Sequence, residues 1–189
     1  MSETGDVSST ILSSAARLLR ETPFDEISYR ILAEAAGVSE RTVFRRYPTR
    51  AHLLEALSRW IEEHALPLPA FTSFEQFREA VHTRFRAFDA APAYAFVCAR
   101  AASVSPTLTA EASFLTEAVR ALVDECAPHL NNRDALRIAS ALGSFASAQF
   151  WARMRSGYGA GATEACAAFD AVLDRVVATL PAHSRAAAR

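Results

Sequence analysis

The segment S-Y-R-I-L-A-E-A-A-G-V-S-E-R-T-V-F-R-R-Y-P-T-R, residues 28 to 50, decides how the rest of the chain is read. Behind Ser28, whose hydroxyl suits the free N–H groups of a helix start, Ile31, Leu32, Ala35 and Ala36 recur at helical spacing. Gly37 ends this first helix, because glycine takes the left-handed conformation of a helix terminus without strain. Ser39 opens a second helix over Glu40 to Arg46, which packs with Val38 and Val43, turns Glu40, Arg41, Thr42, Arg45 and Arg46 outward, and is closed by Pro48. Two short helices across a tight turn, the second carrying polar residues and arginines, form the helix-turn-helix layout that sets a recognition helix in the major groove of DNA.

Outward from this pair the chain reads as helix after helix. On the N-terminal side a tail of residues 1 to 7 is expected to be mobile, followed from Ser9 by a helix with Ile11, Leu12, Ala15, Leu18 and Leu19 on one face. Thr49 caps a long helix through Leu53, Leu54, Leu57, Trp60 and Ile61, which stops before Leu66-Pro67-Leu68-Pro69. Three parts are therefore expected: residues 1–48, a connecting helix over 49–66, and a C-terminal part over 67–189. In the last part Phe74, Phe77, Val81, Phe85 and Phe88 form one helical stripe, and a shorter helix after Pro92 carries Tyr94, Phe96, Val97 and Cys98. Pro106 with Leu108 starts the next, and Asn131 or Asn132 opens one long helix running to Met154. Gly157-Tyr158-Gly159-Ala160-Gly161 is a connector, the final helix spans Ala165 to Leu180, and residues 182–189 are expected to fray. The fold class is all-α with about nine helices.

The runs I-L-S-S-A-A-R-L-L (Ile11–Leu19), F-D-E-I-S-Y-R-I-L-A-E-A-A-G-V-S (Phe24–Ser39) and T-V-F-R-R-Y-P-T-R-A-H-L-L (Thr42–Leu54) resemble the N-terminal domain of TetR/AcrR-type transcriptional regulators. Ala33, Ala36, Gly37, Val38, Ser39, Thr42, Arg50 and Leu53 fall at that family's spacing. Three positions depart from it: Thr22-Pro23 stands where a glycine is usual, Arg41 where a small residue is usual, and Phe44 where a tyrosine is usual. In the family that tyrosine hydroxyl typically contacts a phosphate, a bond Phe44 cannot make, and Arg45, Arg46 and Tyr47 are the candidates to replace it. The resemblance implies a DNA site in which Glu40, Arg41, Thr42 and Arg45 touch base edges, Ser28, Arg46, Tyr47 and Arg50 hold phosphates, and Ser39 and Phe44 complete the surface.

It also implies a small-molecule effector, a homodimer, and a palindromic double-stranded operator under repression. A ligand cavity among the C-terminal helices is expected to draw on His82, Phe85, Phe88, Tyr94, Phe96, Phe114, Gln149, Phe150 and Trp151, which suits an apolar or aromatic ligand. The family dimerises through its last two helices, and here the stripes Ala139, Leu142, Gly143, Ala146 and Phe169, Val172, Leu173, Val176 are expected to pair across a twofold axis. The rival reading is a helical ligand-sequestering or protein-interaction module that no longer binds DNA.

Composition bounds these readings. A chain of 189 residues with 51% apolar content buries a substantial core, and a formal charge of −1 excludes indiscriminate coating of nucleic acid. A local patch remains: residues 37–60 hold five arginines against two glutamates, a net +3. No lysine occurs anywhere. Cys98, Cys126 and Cys166 form no C-x-x-C pair, and the five histidines form no H-x-x-x-H pair, so neither a disulfide framework nor a metal or other cofactor is expected. No nucleophile–base or paired-carboxylate pattern suggests an enzyme, and G-Y-G-A-G follows a helix rather than the strand a phosphate cradle needs. The acidic M-S-E-T-G-D start and the short apolar run Ile138–Ala152 argue against a signal peptide or a membrane span, so a cytoplasmic home is expected.

Overall fold

Helices start where the side chains of Ser28, Ser39, Thr49, Asn131 and Ser147 accept a backbone N–H, and two end at left-handed glycines, Gly37 and Gly159. The computed structural model describes residues 3–104 and 114–180, and the sequence-based expectations for Pro106, Leu108 and residues 182–189 lie outside them. Among the described residues there are ten α-helices and no strand: α1 (Glu3–Leu18), α2 (Tyr29–Ala36), α3 (Glu40–Arg46), α4 (Arg50–His64), α5 (Phe74–Ala90), α6 (Pro92–Val104), α7 (Phe114–Cys126), α8 (Asn132–Phe145), α9 (Ala148–Tyr158) and α10 (Ala162–Thr179). Two compact units result, one holding α1–α4 with α6, the other α5 with α7–α10. Sequence placed α6 beyond the break at residue 66, whereas the chain returns at Ala91 to the first unit, where α6 packs along α4.

In the first unit Ile11 and Ala15 of α1, Leu32 of α2, Val43 of α3 and Leu53, Leu57 and Ile61 of α4 are fully or almost fully buried. Helix α1 begins at Glu3, so the mobile tail expected over residues 1–7 is helical from residue 3 onward. A 3-10 turn, Phe24–Glu26, follows Pro23, whose fixed φ sets the chain direction, and joins α1 to α2.

The second unit is built on aromatic rings. Phe77 meets Phe169 edge-on at 5.4 Å, Phe85 lies 6.0 Å from Phe150, and Phe88 meets Trp151 at 5.5 Å, which ties α5 to α9 and α10. The single helix expected from Asn131 to Met154 is two helices. Ser147 is extended, its hydroxyl accepts the Phe150 N–H at 3.2 Å and donates to the Ser144 carbonyl at 2.7 Å, so the chain caps a new helix inside an apolar run.

Candidate nucleic-acid interface

Three hydroxyl caps and one glycine fix α2, α3 and α4. Ser28 accepts the Ile31 N–H, Ser39 the Thr42 N–H and Thr49 the His52 N–H, each three residues on. Gly37 ends α2 with φ 66°, the left-handed conformation that brings the chain round into α3. Ser39 and Thr42 also share a hydroxyl–hydroxyl bond of 2.8 Å. Val43 is wholly buried and orients the helix, so Glu40, Arg41, Phe44 and Arg45 are left exposed along α3. Arg41 and Arg45 make no hydrogen bond or ion pair within the described residues of the chain, and two uncommitted guanidinium forks on one short helix suit phosphate oxygens or guanine edges.

The residues expected to hold phosphates are placed differently from one another. Ser28 is used as the α2 cap. Arg46 donates from Nη1 to the Ser8 hydroxyl of α1 at 2.7 Å, and Tyr47 is buried, which pushes its hydroxyl up from its ordinary titration value. Arg50 turns inward: Nη1 donates to the Ile27 carbonyl at 2.5 Å, Nη2 donates to the Phe24 carbonyl, and the guanidinium lies 4.2 Å from the Phe24 ring centre. Burial lowers the Arg50 titration value, with Tyr29 and Asp25 opposing, yet a guanidinium stays charged at any working pH. Arg50 thus braces the turn before α2, a role no local pattern announced because its carbonyl partners lie 23 and 26 residues away.

The expected ligand residues do not come together as one set. Phe85, Phe88 and Trp151 have no exposed surface and pack with half-buried Phe150 as core. His82 of α5 bonds Asp170 of α10 through Nε2 at 2.8 Å, and Arg78 reaches the same carboxylate at 2.9 Å. Gln149 and Phe114 are exposed. In the other unit Phe96 is exposed and the Tyr94 hydroxyl is committed to the Ala16 carbonyl. An open groove of about 280 Å³ in the second unit is lined by Pro69, Ala70, Glu75, Gln76, Glu79, Ala80 and Thr83, none of them foreseen.

The expected dimer stripe is likewise divided. Ala139, Leu142, Ala146, Phe169 and Leu173 are buried against their own chain, because α8 and α10 need those positions for the core of the unit. Gly143, Val172 and Val176 remain partly exposed, and Leu136, one helical face round from Leu142, is 55% exposed. Among the described residues no cluster of three His, Cys, Asp or Glu is placed to hold a metal ion, and no helix is long and apolar enough to cross a membrane.

A family model for the bacterial regulatory proteins of the tetR family matches residues 11–57, the stretch from mid-α1 to mid-α4. Over 53 residues the chain is 40% identical to the nucleoid occlusion factor SlmA of Alteromonas mediterranea, covering 28% of this chain and 27% of that protein. With SlmA of Marinomonas sp. the identity is 38% over 53 residues, again 28% and 27% of the two chains. The matched stretch thus spans about a quarter of the length of these curated relatives. In fold the chain is similar to a TetR transcriptional regulator from Rhodococcus sp. RHA1, with a TM-score of 0.68 and 19% identity over 95% of this chain and 100% of that one. A second, TetR-like transcriptional regulator of the same organism gives a TM-score of 0.57 and 17% identity over 90% and 94% of the chains. Residues 11–57 are thus similar to the DNA-binding domain of the tetR family of bacterial regulatory proteins, and over the rest of the chain the likeness to solved TetR regulators is one of fold.

Proposed function

We propose that this protein is a DNA-binding transcriptional regulator that grips a palindromic operator as a homodimer and is released from it by a small-molecule effector. The observation that carries the reading is α3, where Arg41 and Arg45 stand exposed and uncommitted on a helix held by the Ser39 cap and the left-handed Gly37. Arg41, Thr42 and Arg45 meet base edges, with Glu40 beside them. Phosphates are held at the exposed start of α2 and by the arginines of α3, while Arg50 supports the head from within. Repression is the expected sign of regulation, the effector is apolar or aromatic, and the residues that bind it lie among the helices of the second unit. An effector acts by favouring a conformation in which the two heads no longer match adjacent half-sites.

For the dimer we propose the exposed quarter of α8 and α10, with Leu136, Gly143, Val172 and Val176, in place of the buried stripe. Selection of bound fragments from random duplex DNA tests the whole reading. A palindromic consensus is expected, with log affinity falling by about 0.9 per log unit of salt for each phosphate neutralised. Failure to enrich any sequence at low salt would remove the regulator reading.

A further inference from the structure

Phe44 is the oddity of the DNA-facing helix. The residue is 57% exposed, on the same side of α3 as Glu40 and Arg41, four and three residues back. An apolar ring of this size on a polar face gains nothing from water. Nor is it loose: Tyr29 meets it edge-on, with ring centres 6.3 Å apart and planes at 66°. Tyr29 is in turn fixed by donating its hydroxyl to the Tyr47 carbonyl at 2.6 Å. The ring is therefore held along one edge and presented along the other, so little side-chain freedom remains to be lost on binding.

A phenyl ring has neither donor nor acceptor, so it serves no phosphate oxygen and no polar base edge. In the major groove the apolar group displayed at a base edge is the C5-methyl of thymine. Resting on the DNA-binding reading above, we infer that Phe44 is a specificity-determining residue that covers a thymine C5-methyl in each half-site. The position thereby selects thymine over cytosine and reads sequence where a hydroxyl-bearing ring would fasten the backbone.

Uracil in place of thymine removes this methyl and nothing else, which gives the test. In a selected operator, each symmetric pair of thymines is replaced in turn by uracil, and affinity is measured by fluorescence anisotropy at fixed salt. For the unaltered protein one pair is expected to weaken binding about tenfold, the value of two methyl groups returned to water. Phe44→Ala, or Phe44→Gln should the alanine variant fold poorly, is expected to bind the thymine and uracil duplexes equally. Indifference to uracil at every position, or an undiminished uracil effect in the Phe44 variants, overturns the inference while specific binding leaves the regulator reading standing. Absence of any sequence-specific binding overturns both.

Discussion

The Tyr94 hydroxyl donates to the Ala16 carbonyl across 2.9 Å, which fastens α6 to the last turn of α1 inside the first unit. That carbonyl belongs to the final four of α1, which have no partner within their own helix. Arg20 Nε adds a longer bond to the same hydroxyl at 3.4 Å, and Arg100 Nη1 meets the Asp25 carboxylate at 2.7 and 2.8 Å. The last pair is largely exposed and contributes little, so the tyrosine is the stronger tie. Tyr94→Phe keeps the ring and removes the bond, and is expected to lower stability by about 1 kcal/mol. Urea unfolding checks this through a lower midpoint at unchanged slope; an unmoved midpoint would mean the bond exchanges evenly with water.

Arg45 and Arg50, five residues apart, are expected to fail in opposite ways. Arg45 is exposed, so Arg45→Ala leaves the urea midpoint within about 0.5 kcal/mol of the parent and weakens operator binding at least about tenfold. Arg50 bonds two carbonyls and lies over Phe24, so Arg50→Ala lowers stability by about 2 kcal/mol. Arg50→Lys should recover little, since a point-charge ammonium cannot span two carbonyls and stack at once. Urea curves and gel shifts on the same samples separate the two residues; a stable Arg50→Ala that has lost DNA binding would return Arg50 to the interface.

What could be read from sequence was what is decided within three or four residues. Ser28, Ser39 and Thr49 as caps, and Gly37 as a left-handed terminus, act on neighbours in the chain and behave as their residue types predict. The Ser147 break leaves no mark in the sequence pattern, because one serine among alanines and aromatics does not interrupt the apolar period of a helix. Periodicity also shows that a helix has an apolar face without showing what covers it. By period alone Leu142 and Phe169 suit a partner's surface equally well, yet their own chain buries them. Arg50 and Tyr94 depend on carbonyls 23 to 78 residues away, and no local pattern carries that information.

Cys166 should be chemically quiet. Burial is the main cause that pushes its thiol up to about 11, with the charges of Asp170, Asp89 and Glu79 adding and Arg86 opposing. A thiolate fraction of roughly one in a thousand at pH 8 follows, about a hundredfold below the unfolded chain. Alkylation followed by peptide mapping is expected to show Cys166 labelled on that slower scale in the native protein. The folded state holds the thiol proton more tightly than the unfolded state. The linked stability is therefore complete below pH 9.0 and is lost as pH rises toward about 11. Native labelling as fast as denatured labelling would show an accessible thiolate.

Gly143 tests the proposed dimer face without disturbing the fold. A Cβ at this position meets nothing within 4 Å, and the residue is partly exposed on α8. Gly143→Ala is therefore expected to fold normally and even to gain about 1 kcal/mol from helix propensity. Gly143→Arg places a charged chain where two protomers are expected to meet, and light scattering at micromolar concentration should give half the parent mass. A Gly143→Arg protein with the parent mass would move the interface elsewhere.

Asp89 near the end of α5 joins three elements of the second unit through one carboxylate. Oδ1 accepts from the Trp151 indole N–H of α9 at 2.9 Å and from Arg155 at 3.1 Å, while Oδ2 accepts the Ala162 N–H at 2.7 Å. Ala162 is the first residue of α10, so the carboxylate satisfies a terminal N–H and lies at the positive end of that helix. The Arg155 pair is part-exposed and adds little; the indole and the helix end carry the effect, because Trp151 is fully buried. Asp89→Ala is expected to lower stability by about 3 kcal/mol, two charge-assisted bonds discounted for relaxation. Asp89→Asn keeps one acceptor oxygen and should lose about half as much. Urea unfolding followed by tryptophan fluorescence orders the three proteins. Equal midpoints for the parent and Asp89→Ala would show that other acceptors take over these groups and that the carboxylate does not hold the three helices together.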